Sequence, residues 1–356
     1  MPAVLRHSNQ PLLDDTPFQL GPRGPFPRAP LGRVLERRWL HYAFLTKDHE
    51  LGMVANVAWL GPEKGMEKDG ERCTSILLLY KRGEGWRASQ FNAETLVPLW
   101  SAFRQPFPFG EFQPLEIGST NHANSIRMSM RRTSHPCTSQ TVPFAMGQHL
   151  RWQSETGVIA RGEWTYDGGK ISDVEVIGYH ERVRGHWGWP ELGGWVFGFV
   201  NDPTGGPGEP PPTAVVFTLI QPPDPPDAAT GSVMLWRNGR LRRHFPRRRI
   251  DVAVRGYLER DQVLPVPALS SLFGVPGMEP IPRHLTISAA MGGDRVLLDF
   301  RCDAAARVIV PCETAIRPFS VHEVIGRCSV EGVVNGEKFA FETYGIVEFA
   351  GGAGGD

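Results

Sequence analysis

Apolar and polar residues in this chain alternate in short runs broken by turn residues, and almost nowhere do they recur at helical spacing. WLHYAFLT and LGMVANVAWL are joined by the polar KDHE, and TSILLLYKRGEGWRASQF turns at Arg82–Gly85. SIRMSMRRTS alternates with a period of two, which puts Ile126, Met128 and Met130 on one face of a strand. HLRWQSETGVIARGEWTYDGGKISDVEVIGYH reads as a meander turning at Asp167–Gly169. GGWVFGFVND runs into the proline- and glycine-rich PTGGPGEPPPT, expected to be a loop at a barrel mouth. AVVFTLIQ, SVMLWRNGRLRRHF, RRRIDVAVRGYLE, RHLTISAAMGGDRVLLDFRCDAAARVIVP and IGRCSVEGVVNGEKFAFETYGIVEFA continue the pattern, with QVLPVPALSSLFGVPGMEPIP as a second proline-rich interruption. Asn238-Gly239 and Asn335-Gly336 are dipeptides suited to two-residue hairpin turns. LVPLWSAFR amounts to a single helical turn at most. The pattern predicts an all-β chain.

Composition agrees. Gly (40) and Pro (32) make about a fifth of the 356 residues, scattered between the runs as turns require. The length exceeds one ordinary core, so two domains are expected. An extended arm over 1–30, a first β domain over 31–247 and a second over 248–356 place the seam near 245–250. Each half should curl into an antiparallel barrel or curved sheet, which removes or protects exposed strand edges.

Charge and motifs narrow the function. Lys plus Arg (38) balance Asp plus Glu (38), so no net field draws nucleic acid. The arginine-rich stretch from Arg237 to Arg249 offers few aromatic rings for base stacking; it reads as a solvated hairpin or as a peripheral contact to membrane headgroups. No apolar run reaches the roughly 18 to 20 residues that span a bilayer, and the N-terminus lacks the order of a secretory signal. Five cysteines (Cys73, Cys137, Cys302, Cys312, Cys328), with no CxxC pair, argue for a reducing cytoplasm without disulfides or structural zinc. GxGxxG before a helix, GxSxG and HExxH are all missing, and no His/Asp cluster has metal-ligand spacing. No cofactor and no metal are therefore expected. The oligomeric state stays open.

The stretch GYHERVRGHWGWPELGGWVFGFVND, from Gly178 to Asp202, packs two His, two Glu, two Arg, three Trp and one Asp among six Gly. Such density is costly to bury without partners. Two readings follow. Either it is an aromatic plug, with Arg182 and Arg184 paired to surface carboxylates, or it is a pocket floor. In the second, a carboxylic acid kept protonated by apolar surroundings works beside a histidine and indole rings. A weaker candidate is NHANSIRM, where Asn121, His122 and Asn124 could face the pocket from a strand start.

GYHERVRGHWGW resembles the Gly-Tyr-His-Asp-His-Asn-Trp-Gly signature of the carotenoid 1,2-hydratase family (hydroxyneurosporene synthases) and of related AttH-like double-lipocalin proteins. Tyr179, His180 and Glu181 match its first three positions after Gly178, with Glu for Asp. His186, Trp187 and Gly188 match its end after an insertion of Arg182–Gly185. WLHYAFLT, SVMLWRNGRLRRH and GVVNGEKFAFETYGIVEFA stand where that family places similar pieces. The resemblance implies two consecutive calycin barrels around an apolar pocket. It also implies a hydrophobic small-molecule substrate, an isoprenoid or polyene, that is hydrated or cyclised by protonation of an alkene. Lipocalin-like pericyclases of natural-product pathways resemble the group in fold, so pericyclic cyclisation is an alternative, as is lipid binding without catalysis. The expected roles are Glu181 as acid, His186 or His180 as base, and Trp187, Trp189, Trp195 and Tyr179 as aromatic wall. Glu191 and Asp202 are reserve carboxylates.

Overall fold

A computed structural model describes residues 35–63, 72–92, 110–118, 122–139, 141–143, 149–187, 194–221, 230–259, 262–266, 281–310 and 319–352. The expected arm over 1–30, LVPLWSAFR, and three site candidates, Asn121, Trp189 and Glu191, lie outside these residues. The chain is all-β and forms two curled, essentially antiparallel sheets. The first contains β1 (Leu35–Thr46), β2 (Leu51–Glu63), β3 (Arg72–Lys81), β4 (Gly85–Asn92), β5 (Phe112–Ile117), β6 (Ser125–Arg132), β7 (Cys137–Thr138), β8 (Val142–Pro143), β9 (His149–Tyr166) and β10 (Gly169–His186). The second contains β11 (Gly194–Asn201), β12 (Thr213–Gln221), β13 (Thr230–Arg237), β14 (Arg240–Pro246), β15 (Ile250–Tyr257), β16 (Val263–Val266), β17 (Pro282–Met291), β18 (Asp294–Val310), β19 (Phe319–Val334) and β20 (Glu337–Gly352). No helix among the described residues is long and apolar enough to cross a membrane.

The strand orders run in parallel. The first sheet reads β4-β3-β2-β1-β10-β9-β6-β5, and the second β14-β13-β12-β11-β20-β19-β18-β17-β15. The sheets change over between His186 and Gly194. The seam expected near 245–250 instead falls inside the second sheet, where a 3₁₀ turn at Arg247–Arg249 joins β14 to β15. The error has a physical cause: HFPRRRI is polar because it is a short surface connection, and polarity does not distinguish a turn within a sheet from a link between sheets.

The hairpins behave as their turn residues demand. Asn238 and Gly239 have φ of 49° and 73°, and Asn335 and Gly336 have 54° and 81°. Both loops contain two residues, closing Arg237 against Arg240 and Val334 against Glu337. Asp167 and Gly168 do the same between β9 and β10.

Alternation along the strands builds three apolar layers. On β1, Leu40, Tyr42 and Phe44 enter the core of the first sheet with Ile126, Met128 and Met130, while Ala43 and Leu45 face the other way. A second core, with Phe217, Phe245, Phe300 and Phe349, fills the other sheet. The third layer lies between the sheets, where Trp187, Tyr179 and Val183 from the first meet Trp195, Phe197 and Ile346 from the second. Both faces of the central strands are therefore buried.

One irregularity decides what this middle layer contains. Gly157 on β9 has φ of +66° and sits where the register with β10 slips, so β9 carries one extra residue there. A Cβ on Gly157 would lie 2.6 Å from Ser134 Oγ. Beyond this bulge Val158 and Ala160 point into the first core. Before it the parity is reversed, so Glu155 points into the barrel and Ser154 points between the sheets.

Candidate functional site

Backbone register places the polar side chains of the middle layer in two rows. Across the first sheet, Asn56, His41, Glu181 and Ser154 are successive partners on β2, β1, β10 and β9. Across the second, Thr218, Phe197, Glu348 and Glu323 are successive partners on β12, β11, β20 and β19. These are the third to sixth strands of each sheet, so the rows occupy equivalent places and face each other. Gly178, just before the motif, lets β10 approach β1, since a Cβ there would lie 1.9 Å from Ala43 O.

Glu181 is partly buried and accepts a hydrogen bond from Tyr179 OH at 2.5 Å; that hydroxyl is also 2.9 Å from Ser154 Oγ. Burial pushes the Glu181 carboxyl up to about 7; the bond from Tyr179 opposes this and the charge of Glu348 adds to it. The Tyr179 phenol is raised well above its usual range by burial and then by Glu181. Trp39 packs against Trp187 (5.8 Å, edge-on) and Trp195 (5.9 Å, tilted), forming an indole wall at one end of the rows.

His41, only 3% exposed, has Nδ1 2.7 Å from Asn56 Oδ1. Burial holds its imidazole below the usual pKa, so the ring is neutral at pH 7. The neutral ring donates from Nδ1 to the Asn56 carbonyl, leaving a lone pair at Nε2, which has no partner. The Asn56 amide then donates from Nδ2 to Glu323 Oε1 at 3.2 Å. Thr218 Oγ1 is buried without a partner, and the Glu323 carboxyl is hydrogen-bonded to that of Glu348. Burial, reinforced by neighbouring Glu348, keeps the Glu323 carboxyl well above the ordinary range. Trp195 Nε1 donates to Glu348.

Both histidines proposed as base point away from Glu181, because side chains alternate along a strand. His180 lies inside the first barrel, stacked on Tyr42 at 4.3 Å with Nδ1 2.9 Å from His41 O. His186 is five residues beyond Glu181, about 17 Å along β10, and packs at a tilt against His149 with ring centroids 5.4 Å apart. His41, the histidine on the Glu181 face, comes from WLHYAFLT, which sequence reasoning treated only as a strand.

His122 precedes β6, at the end of the first sheet where Ser125 pairs with Thr165. Thr165 is eleven residues along β9 from Ser154, about 36 Å of strand. Asn124 holds that end together by accepting from Asp167 N and donating to Ser89 Oγ. Asp202 likewise has a local role: its carboxylate caps Thr204 through backbone (3.0 Å) and hydroxyl (2.6 Å). It lines an open groove of about 750 Å³, including the mouth, with Leu45, Phe199, Asn201, Pro207 and Tyr344. The groove ends the layer between the sheets without reaching Glu181 or His41. As for the plug reading, Arg182 is on the barrel side of β10, near Glu155, while Arg184 is exposed.

No protein-family profile matches this chain, and no curated protein matches it in sequence. Solved structures do. The AttH-assigned protein NE1406 of Nitrosomonas europaea superimposes with a TM-score of 0.53 at 12% identity, covering 93% of this chain and 99% of its own. CghA solved with Sch210972 gives 0.52 at 9% identity, covering 91% and 90%, and CghA alone gives 0.51 at 10%, covering 98% of both chains. At these identities the likeness concerns architecture, and it shows that this chain has the fold of the AttH and CghA structures, two successive lipocalin-like barrels.

Proposed function

We propose that the layer between the sheets is the active site of a hydratase or cyclase acting on a hydrophobic isoprenoid or polyene, with Glu181 as proton donor. The observation that carries this reading is the Glu181 carboxyl, raised to about 7 and gripped by Tyr179 beside the indoles of Trp39, Trp187 and Trp195. A carboxylic acid in an apolar setting keeps a transferable proton near neutrality. Its O–H bond breaks as the alkene π pair forms a C–H bond, leaving a tertiary cation that aromatic faces stabilise by roughly 0.5 to 2 kcal/mol per ring. A water held by the acceptors of His41 and Glu323 adds through oxygen. Its surplus proton passes to the Glu181 carboxylate, restoring the acid. Capture by an internal alkene or hydroxyl makes the same site a cyclase.

A second reading, a pericyclase working by shape and hydrogen bonding, is supported by the match to CghA, solved with Sch210972. Native mass spectrometry with organic extraction of the purified chain tests the shared premise. A co-purifying polyene or terpenoid is expected. An empty protein that also takes up no hydrophobic probe overturns both readings. Glu181→Gln separates them, since it removes the transferable proton and leaves the shape.

A further inference from the structure

Three groups in the layer between the sheets are held for a ligand that the reading above does not name. His41, Glu323 and Glu348 come from β1, β19 and β20, are all buried, and bring one ligand atom each within 4.8 Å of one another. Each is oriented from outside. Asn56 fixes the His41 tautomer through Nδ1 and donates to Glu323 Oε1, and Trp195 donates to Glu348. The outer bonds leave His41 Nε2 as a buried acceptor without a partner, while the Glu323 carboxyl turns to that of Glu348. A neutral imidazole anchored at Nδ1 and two carboxylates anchored at one oxygen form the arrangement by which outer groups aim the ligands of a metal.

We infer that His41, Glu323 and Glu348 bind one divalent first-row transition cation, with open positions facing the water and substrate of the proposed reaction. One imidazole and two carboxylates suit Zn²⁺, Mn²⁺ or Fe²⁺ better than Ca²⁺ or Mg²⁺, which favour oxygen ligands alone. Tetrahedral bonds of about 2.0 to 2.2 Å set ligand atoms roughly 3.3 to 3.6 Å apart, so the three side chains close on the ion by about 1 Å through small rotamer changes. The cation replaces the proton that Glu323 otherwise keeps and neutralises the two facing acids. It holds the trapping water through oxygen. The site shares the pocket of the proposed hydratase and does not depend on Glu181 being its acid.

The test uses the full chain, stripped with EDTA, titrated with Zn²⁺ by calorimetry and with Co²⁺ by visible absorption. One site per chain is expected, with Kd of about 1 µM or tighter. Glu323→Gln should weaken it about 100-fold, and Asn56→Ala, which keeps all three ligands, by about 10- to 100-fold. Should Glu323→Gln fail to fold, Asn56→Ala carries the test. His186→Gln, which dismantles the neighbouring His149–His186 pair, should leave binding unchanged. Wild-type binding only in the millimolar range overturns the inference. So does binding that survives both substitutions in folded protein, or that follows His186. Tight Zn²⁺ with turnover indifferent to Glu181→Gln keeps the metal and removes the acid; lost turnover without metal uptake does the reverse.

Discussion

The inside of the first barrel and the layer between the sheets both bury charged groups, yet they are organised differently. Inside, Arg132 pairs with Glu155 at 3.4 Å, Gln153 donates to the same carboxylate at 2.6 Å, and His180 stacks on Tyr42. Burial raises the Glu155 carboxyl, but Arg132 and Arg182 oppose it. Among its described residues Tyr42 OH, Ser75 Oγ and Glu155 Oε2 show no hydrogen bond, and Glu155 still has two guanidinium neighbours. Between the sheets, three carboxyls and a neutral imidazole meet with no cationic side chain among them. A compensated buried cluster explains itself by holding strands in place; acids gathered without a cation need a ligand or a proton to complete them. Strand β10 contributes to both, Arg182 and His180 on one face, Tyr179 and Glu181 on the other.

The sharpest way to separate the regions is Glu181→Gln. Loss of the donor should lower turnover by about 10²- to 10⁴-fold with substrate still bound, read from single-turnover rates and native mass spectrometry; unchanged turnover removes Glu181 from the chemistry. Glu155→Ala should act on stability, since it strands buried guanidinium charge. It is expected to cost about 3 to 5 kcal/mol, measured as a shift in denaturant midpoint, and a shift below about 1 kcal/mol would mean that the barrel cluster is well solvated. The pH profile comes next. The folded Glu181 holds its proton up to about 7, whereas the unfolded chain releases it near 4.5. Folding stability should therefore fall as pH rises between those values, by on the order of 3 kcal/mol. Glu323 shifts in the same direction, so the melting curve of Glu181→Gln should flatten in part and not wholly. The smallest effect is expected from His186→Gln, under twofold on turnover, because that ring is on the barrel side of β10; a large loss would restore it as a base.

Much of the architecture was legible because strand periodicity and turn chemistry are local. Ile126, Met128 and Met130 share the buried face that their spacing requires, and both Asn-Gly pairs adopt the positive φ of tight hairpins. The seam was misplaced because the polar HFPRRRI marks a surface turn inside the second sheet, and polarity alone does not reveal which strands pair. In the motif, Tyr179 and Glu181 share a face two residues apart, as alternation demands, and the same rule should have set His180 and His186 aside. Ser154 could not be placed from sequence, since its direction depends on the one-residue bulge at Gly157.

What the sequence by itself determined is the all-β texture, the hairpins and the shared face of Tyr179 and Glu181, since each follows from two-residue periodicity or a single turn. Tertiary structure alone decided that His41, Asn56, Glu323 and Glu348 meet them. Asn56 and Glu323 are 267 residues apart, and no local pattern marks residues joined only when two sheets pack face to face. The apolar layer that buries them makes the unpartnered His41 Nε2 significant, because in water it would be satisfied at once.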